Sequence, residues 1–265
     1  MNALEECHRR LARLLGSDAE PIEVLRRAEE HRAYWRPERV RVVLLAESHV
    51  YTSASELERR VVLPGMPGND LPRAFVRLVY CLGYGENDLL DRPIIEPKNS
   101  GTPQYWKVFY SCVNRVETNA DFAPVLKQTP FAQRIENKTS LLRQLKEAGV
   151  WLIDASLAAL YPQKPAPMIV NECLHTSWDT YVGNLIRDAD PAHILCIGRG
   201  VARALNDRLL HLGVPLSVVP QPNARLASTE HLETFHQCYQ VVRRNWIFPR
   251  RVDTLLSPFD LTPLL

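Results

Sequence analysis

The chain has 265 residues, of which 46% are hydrophobic and 23% are charged, and its formal net charge at pH 7 is +2. This composition is ordinary for a globular protein, and the length suits one large α/β domain with a helical appendage. Asp154 interrupts the longest apolar stretch, VWLIDASLAAL, so no membrane-spanning helix is expected. The small net charge neither requires nor excludes a nucleic-acid partner.

The N-terminal segment MNALEECHRRLARLL carries acidic residues from its start and has the pattern of an amphipathic helix, so we expect no signal peptide. Residues 3–15 and 21–34 are predicted to form two amphipathic helices, with Pro21 in the first turn of the second. We expect this pair to pack outside the sheet as a helical appendage, residues 1–38. A cytoplasmic, nucleoid-associated location without membrane contact follows by default.

The next stretch, RVVLLAESHVYTS at 41–53, has the features of a strand that opens into a site. Five apolar residues at 42–46 are typical of a strand buried on both faces. They are followed at once by Glu47, Ser48 and His49. Because ligands of open α/β sheets bind at the carboxyl ends of the strands, these three residues are the predicted chemical centre.

The stretch from residue 63 to residue 103 gives weaker signals. The segment LPGMPGNDL at 63–71 is predicted to be a tight loop, because its glycines and prolines oppose regular structure. A helix capped by Asp70 is expected to end at Gly83. Residues 88–103 are proline-rich and predicted to be irregular. The aromatic and β-branched segment QYWKVFYSCV at 104–113 favours a second strand, with a short helix as the alternative.

No element is predicted for 115–138, but helices and strands alternate regularly beyond it. Predicted helices cover 139–149, with Thr139 or Ser140 as the cap, then 176–187, 201–212 and 228–242, and predicted strands carry VWLID, HILCIG and PLSVV. Such alternation implies crossover connections and a parallel sheet. We therefore predict an α/β fold at 39–245, a three-layer αβα sandwich with a central, mainly parallel four-stranded sheet, followed by a tail at 246–265.

The six cysteines are scattered along the chain without any C-x-x-C pair. Several lie in apolar surroundings, which predicts buried, reduced thiols rather than disulfides, a zinc site or an iron–sulfur cluster. We therefore expect no metal or other cofactor. The six are Cys7, Cys81, Cys112, Cys173, Cys196 and Cys238.

Two later strand ends also carry informative sequences. The GRG after HILCI lies between a strand and a helix, but Arg203 takes the place of the third glycine and the next strand ends without an acid, so a tight turn is favoured over nicotinamide binding. PQPNARL follows LSVV, and its two prolines predict a stiff loop that presents Asn223 and Arg225. Basic residues without acids among them are clustered near the C-terminus: Arg243, Arg244, Arg250 and Arg251.

Together these strand ends resemble the uracil-DNA glycosylase superfamily. LLAESHV stands where the family has its first motif, G-E-A-P-G in one branch, and GVWLID corresponds to G-V-L-L-L-N, with Asp154 replacing a base-reading asparagine. HILCIG resembles V-x-L-L-W-G, and QPNARLAS resembles H-P-S-P-L-S, with Gln221 replacing histidine. The resemblance implies a glycosylase that hydrolyses the N-glycosidic bond of a flipped uracil or other damaged base in DNA, as in base excision repair.

The resemblance also implies roles for individual residues. Glu47 stands where one branch of the family has a water-activating glutamate, and His49 would contact a phosphate or stabilise charge on the departing base. Base binding would involve Asp154, Tyr51 and one stacked aromatic ring, for which Phe109 is favoured, with a position in the core as the alternative for any one ring of that segment. Contacts with DNA would come from Ser48, Gln221, Asn223 and Arg225.

Each of these residues also has a structural alternative to its functional role. Glu47 could cap a helix or pair with an arginine, Asp154 could cap the helix that follows it, and His49 could be a polar surface group. An ionised Asp154 accepts hydrogen bonds only, so it would oppose a uracil carbonyl at a cost of roughly 1–3 kcal/mol. A base with an exocyclic amine, or a protonated Asp154, would remove that conflict. The alternative functions are a non-catalytic nucleic-acid-binding relative and a hydrolase or transferase acting on a free nucleoside or nucleotide. The protein is expected to be a monomer.

Overall fold

The structure is a computed structural model, and it describes residues 2–62, 71–94, 102–161 and 163–246. Several predictions fall outside these ranges. They concern the loop at 63–70 with its Asp70 cap, nearly all of the tail at 246–265, and the side chains of Arg250 and Arg251.

Four parallel strands form one sheet in the order β2-β1-β3-β4. They are β1 (Val42–Ala46), β2 (Val150–Asp154), β3 (His193–Ile197) and β4 (Leu216–Val219). All five residues of β1 are buried, as a central strand covered on both faces requires. The predicted α/β class with a four-stranded sheet is confirmed, and all of its strand pairs are parallel.

Helices cover both faces of this sheet. They are α1 (Ala3–Leu15), α2 (Ile22–Trp35), α3 (Thr102–Val113), α4 (Phe131–Glu147), α5 (Pro167–Ser177), α6 (Gly183–Ala189), α7 (Arg199–Ala204), α8 (Asn206–Leu210) and α9 (Ser228–Asn245). α3 packs against α4 and α9, which both contact the sheet, whereas α5 packs against α1 and against α7, which contacts β3 and β4. Within the described ranges, no helix is long and apolar enough to cross a membrane.

The aromatic segment at 104–113 is helical, so the favoured prediction of a strand was wrong and the alternative of a helix was correct. Its buried side chains include Trp106, Phe109 and Cys112, which recur every three residues along α3. This spacing places them on one face of a helix, which a strand would not do. The fourth strand of the sheet therefore comes from β4 and not from this segment.

The predicted helix between Asp70 and Gly83 is also absent from the part of it that the structure describes, where the chain runs through turns and short bridges. Its backbone pairs with the preceding segment: the Val61 N–H donates to the Arg73 carbonyl at 2.8 Å, and the Phe75 N–H donates to the Arg59 carbonyl at 3.3 Å. These long-range pairs occupy the backbone groups that a helix would need. The apolar side chains are nevertheless buried, as the prediction expected.

Three predicted helices have different boundaries. α4 begins at Phe131, so Thr139 lies inside the helix, where its hydroxyl donates to the Ile135 carbonyl at 2.9 Å instead of capping the N-terminus. The predicted helix at 176–187 is part of a longer helical stretch, because a π-helical turn at Trp178–Val182 joins α5 to α6. The predicted helix at 201–212 is divided at Leu205 into α7 and α8. The last helix, α9, confirms the prediction.

Candidate active site

The loops that follow β1 and β2 are held side by side at the carboxyl edge of the sheet. Ala46 is paired with Asp154 at the ends of the two strands. Beyond them, the Ser156 N–H donates to the Glu47 carbonyl at 2.8 Å, and the Leu160 N–H donates to the Ser48 hydroxyl at 3.1 Å. The strand register therefore brings Glu47, Ser48 and Asp154 to one place, as the sequence predicts.

The buried carboxylate of Glu20, in the N-terminal segment, accepts hydrogen bonds from both loops. Glu20 lies between α1 and α2, and it accepts hydrogen bonds from the Thr52 N–H at 2.7 Å and the Ala159 N–H at 2.9 Å. The same carboxylate contacts Nε2 of His49 at 2.9 Å. Because Thr52 follows β1 and Ala159 follows β2, the N-terminal segment contributes directly to the shape of the site.

His49 is fully buried between two carboxylates, so it is not a surface group. Its Nε2 faces Glu20, and its Nδ1 lies 3.4 Å from Oδ2 of Asp154. Burial alone would lower the pKa of His49, but the charges of Glu20 and Asp154 outweigh burial and raise it to about 9. The imidazole is therefore a cation at neutral pH.

Asp154 is an ionised carboxylate with one oxygen left for a ligand. Burial would raise its pKa, but Arg32 and His49 outweigh this effect and lower it. Arg32 is itself buried in α2 and pairs with both Asp154 and Glu29. Both partners of Asp154 contact Oδ2, and within the described parts of the chain Oδ1 receives no hydrogen bond. Asp154 caps no helix, since α5 begins only at Pro167.

A small pocket of about 40 Å³ opens beside this charged network. Its polar lining consists of Ser48, His49, Arg77, Tyr84, Tyr105 and Asp154. Tyr105 comes from α3, and burial raises the pKa of its hydroxyl, with further contributions from Asp154 and Glu47. The hydroxyl is therefore a neutral donor close to both carboxylates.

The remaining residues predicted around the base lie in different surroundings. Phe109 is fully buried, with its ring centroid 5.6 Å from that of Tyr80 and 5.8 Å from that of Trp106. Tyr105 is the aromatic ring of α3 that lines the pocket. Tyr51 is half-buried, and its N–H donates to the Tyr161 carbonyl at 2.9 Å.

The Glu47 carboxylate is half-exposed, and it has neither a hydrogen bond nor an ion pair within the described ranges. The two structural explanations for it, a helix cap and an arginine partner, are therefore not observed there. Of the two carboxylates at this edge, one is held by buried cations and the other is free to contact water. Such a difference in environment separates the chemical roles of paired carboxylates.

The loop after β4 lies outside this pocket. Gln221 packs against Gly198, whose φ of +126° favours glycine, and a Cβ at Gly198 would lie 3.2 Å from Cγ of Gln221. This close approach accounts for the first glycine of GRG without a bound dinucleotide. Asn223 and Arg225 are exposed, and Asn223 lines a separate groove. The structure thus brings together Ser48, His49 and Asp154, but it does not bring the second-motif residues into the same pocket.

Sequence reasoning missed Glu20 and Arg32. Arg32 had a recognisable signal, because it lies on the buried stripe of α2 formed by Leu25, Ala28 and Trp35. A charged residue on such a stripe needs a buried partner. Glu20 had no comparable local signal, since it lies in a short polar loop.

The six cysteines are buried free thiols, which confirms that prediction. Within the described ranges, no group of three or more histidine, cysteine, aspartate or glutamate residues could hold a metal ion.

The raised pKa of His49 predicts how stability depends on pH. The ion pairs of His49 stabilise the fold fully below about pH 6.5, and this contribution is lost as the pH rises through about 9, on the order of 3 kcal/mol in total. Urea unfolding between pH 6.5 and pH 9.5 should show this decline in wild type and lack it in His49→Gln. The exposed control His211→Gln should keep the wild-type decline, and a decline unchanged in His49→Gln would contradict the assignment.

No protein-family model matches the chain, and no curated protein matches it. Among solved structures, the chain is similar to the crystal structure of a mutant of UNG from Nitratifractor salsuginis, with 12% sequence identity and a TM-score of 0.36. The alignment covers 88% of this chain and 97% of that chain.

Proposed function

We propose that this protein is a DNA glycosylase that hydrolyses the N-glycosidic bond of a damaged or modified base. The observation that carries the proposal is one edge of the sheet with two unlike carboxylates. Asp154 is buried, paired and lines the pocket, whereas Glu47 follows the neighbouring strand and has no partner within the described ranges. Tyr105 lines the same pocket as Asp154. Burial raises the pKa of its hydroxyl, and the charges of Asp154 and Glu47 add to that effect. The order of motifs along the strand ends, which resembles the uracil-DNA glycosylases, supports the same reaction.

In the proposed reaction, the extruded base lies against Tyr105 with its edge toward Asp154. The C–N bond to the base breaks, and its electron pair leaves with the base. Glu47 orients a water molecule, stabilises the positive charge that develops on the sugar, and accepts the proton as the water oxygen bonds to the anomeric carbon. His49 and Arg32 keep Asp154 ionised and in place. The departing base takes up a proton from solvent, and Glu47 releases the proton of the attacking water to solvent, which restores the starting state of the site.

The ionised state of Asp154 narrows the choice of base. Since His49 and Arg32 keep this carboxylate deprotonated, the free Oδ1 is an acceptor only. A base edge that offers an amine or ring N–H satisfies it, whereas a carbonyl at the same position is repelled. We therefore propose a base that carries an exocyclic amine in preference to uracil.

Changing Asp154 to asparagine should shift the preference toward uracil by about tenfold or more, because an amide can also donate to a carbonyl. The measurement is the ratio of single-turnover excision rates for uracil and for the preferred base within the same variant. Any general loss of stability cancels in this ratio. An unchanged ratio would remove Asp154 from base recognition.

The reaction itself is tested with duplex and single-stranded oligonucleotides that carry uracil, hypoxanthine, xanthine, and alkylated, oxidised or amine-bearing bases. Each is scored for the formation of an abasic site, and free nucleosides are assayed in parallel. Release of a base from DNA supports the proposal. Release from free nucleosides alone would assign the pocket to nucleoside hydrolysis, and no release from any substrate would refute catalysis.

A further inference from the structure

A second, larger groove lies between α3, the loop after β4 and the start of α9. Its volume is about 260 Å³. Its polar and aromatic lining is formed by Gln104, Lys107, Asn119, Asn223, His231 and Phe235. None of the residues that line it is acidic, so the groove combines a cation with neutral hydrogen-bonding groups.

Lys107 is the charged group of this groove. Its ammonium lies 5.3 Å from the ring centroid of Phe122, and within the described ranges it forms no ion pair. Burial lowers the pKa of Lys107, and no neighbouring carboxylate opposes that effect. A partly buried cation without a counter-ion is well suited to receive an anion.

The other walls supply neutral donors and a flat surface. The side-chain amides of Gln104, Asn119 and Asn223 have no hydrogen-bond partner within the described parts of the chain. Opposite them, the His231 ring stacks on Phe235, with centroids 6.4 Å apart and an interplanar angle of 20°. This arrangement offers hydrogen bonds for phosphate oxygens beside an aromatic face for a base.

The groove and the base pocket share the helix α3. Tyr105 lines the base pocket and Lys107 lines the groove. Residues two apart point to nearly opposite sides of a helix, whose diameter is about 10 Å. A DNA strand that places a base in the pocket and a nucleotide in the groove must therefore span the width of α3.

We propose that this groove binds a nucleotide that flanks the extruded one. Its phosphate is held by Lys107 and by the amides of Asn119 and Asn223, and its base stacks on His231. The proposal rests on the proposed action on DNA, but it adds Lys107, Asn119 and His231, which neither the strand-end motifs nor the chemistry of bond cleavage requires. Lys107 and His231 thereby become determinants of strand binding.

The test measures the affinity for a fluorescent, undamaged single-stranded oligonucleotide over a series of salt concentrations. Each phosphate contact contributes roughly 0.7 to the slope of log K against log salt for a single strand. Lys107→Gln should lower the slope by about this amount and weaken binding several-fold at low salt. Lys127→Gln, which removes an exposed lysine outside the groove, should leave both unchanged. His231→Ala should weaken binding similarly at every salt concentration.

Equal slopes for Lys107→Gln and wild type, with both variants folded by circular dichroism, would overturn the proposal. So would equal effects of Lys107→Gln and Lys127→Gln. Because the oligonucleotide is undamaged, the result is independent of catalysis. A Lys107-specific loss of slope in a protein that releases no base would support the groove and refute the glycosylase.

Discussion

Replacing Glu20 with glutamine is expected to lower the free energy of unfolding by about 3–5 kcal/mol, because the buried His49 cation loses its nearer counter-charge. Glutamine also brings an amide group toward the N–H donors of Thr52 and Ala159, so one of these donors loses its acceptor. Urea unfolding at pH 7 measures the loss. The loops after β1 and β2 should open together, with faster amide hydrogen exchange at both.

The matched control is Glu6→Gln on the surface of α1. Glu6 pairs with Arg9 and Arg10, but both arginine side chains are about half exposed, so its loss should change the free energy of unfolding much less than the loss of Glu20. Removing the buried cation as well, in a Glu20→Gln and His49→Gln double variant, should restore part of the stability. If Glu20→Gln lowered the free energy of unfolding no more than Glu6→Gln does, the assignment of Glu20 as the residue that holds the two loops would be wrong.

Replacing Glu47 with glutamine is expected to lower the rate of base excision by about 10²–10⁴-fold, which is the usual contribution of a general base. Glutamine has nearly the same shape, but it cannot accept the proton of the attacking water. Stability should change little, because the Glu47 carboxylate has no intramolecular partner within the described ranges. Single-turnover excision and oligonucleotide anisotropy measure the rate and the affinity separately.

The control for this variant is Glu58→Gln, whose side chain is 69% exposed and weakly paired with Arg92. It should leave both the rate and the affinity unchanged. Equal losses of excision and of DNA affinity in Glu47→Gln would indicate a structural role. A loss of excision alone would support Glu47 as the residue that positions water.

The strands and the last helix were predictable because their signals are local. Short β-branched runs such as 42–46 and 150–153 are bounded by polar residues, and α9 begins next to a serine and an acidic first turn. The aromatic segment of α3 misled the prediction, because aromatic and β-branched residues also favour strands. Its buried residues recur every three positions, and that spacing, rather than composition, decides for a helix.

For the candidate site, too, some features could be predicted from the sequence and others could not. The order of residues along the chain was enough to place Glu47, Ser48, His49 and Asp154 at the ends of neighbouring parallel strands, because side chains that follow parallel strands meet at one edge. The sequence did not determine whether Asp154 is ionised or protonated. It depends on Arg32, which lies 122 positions away along the chain.

The sequence by itself thus determined the α/β class, the four strands and the edge at which polar residues collect, since each depends on local periodicity and on the alternation of helices with strands. Only the tertiary structure decided that Glu20 joins both loops, that His49 is a buried cation, that Asp154 is ionised and that Tyr105 lines the pocket. The physical reason is electrostatic: the charge of a buried group is set by the groups packed around it, and these come from distant parts of the chain.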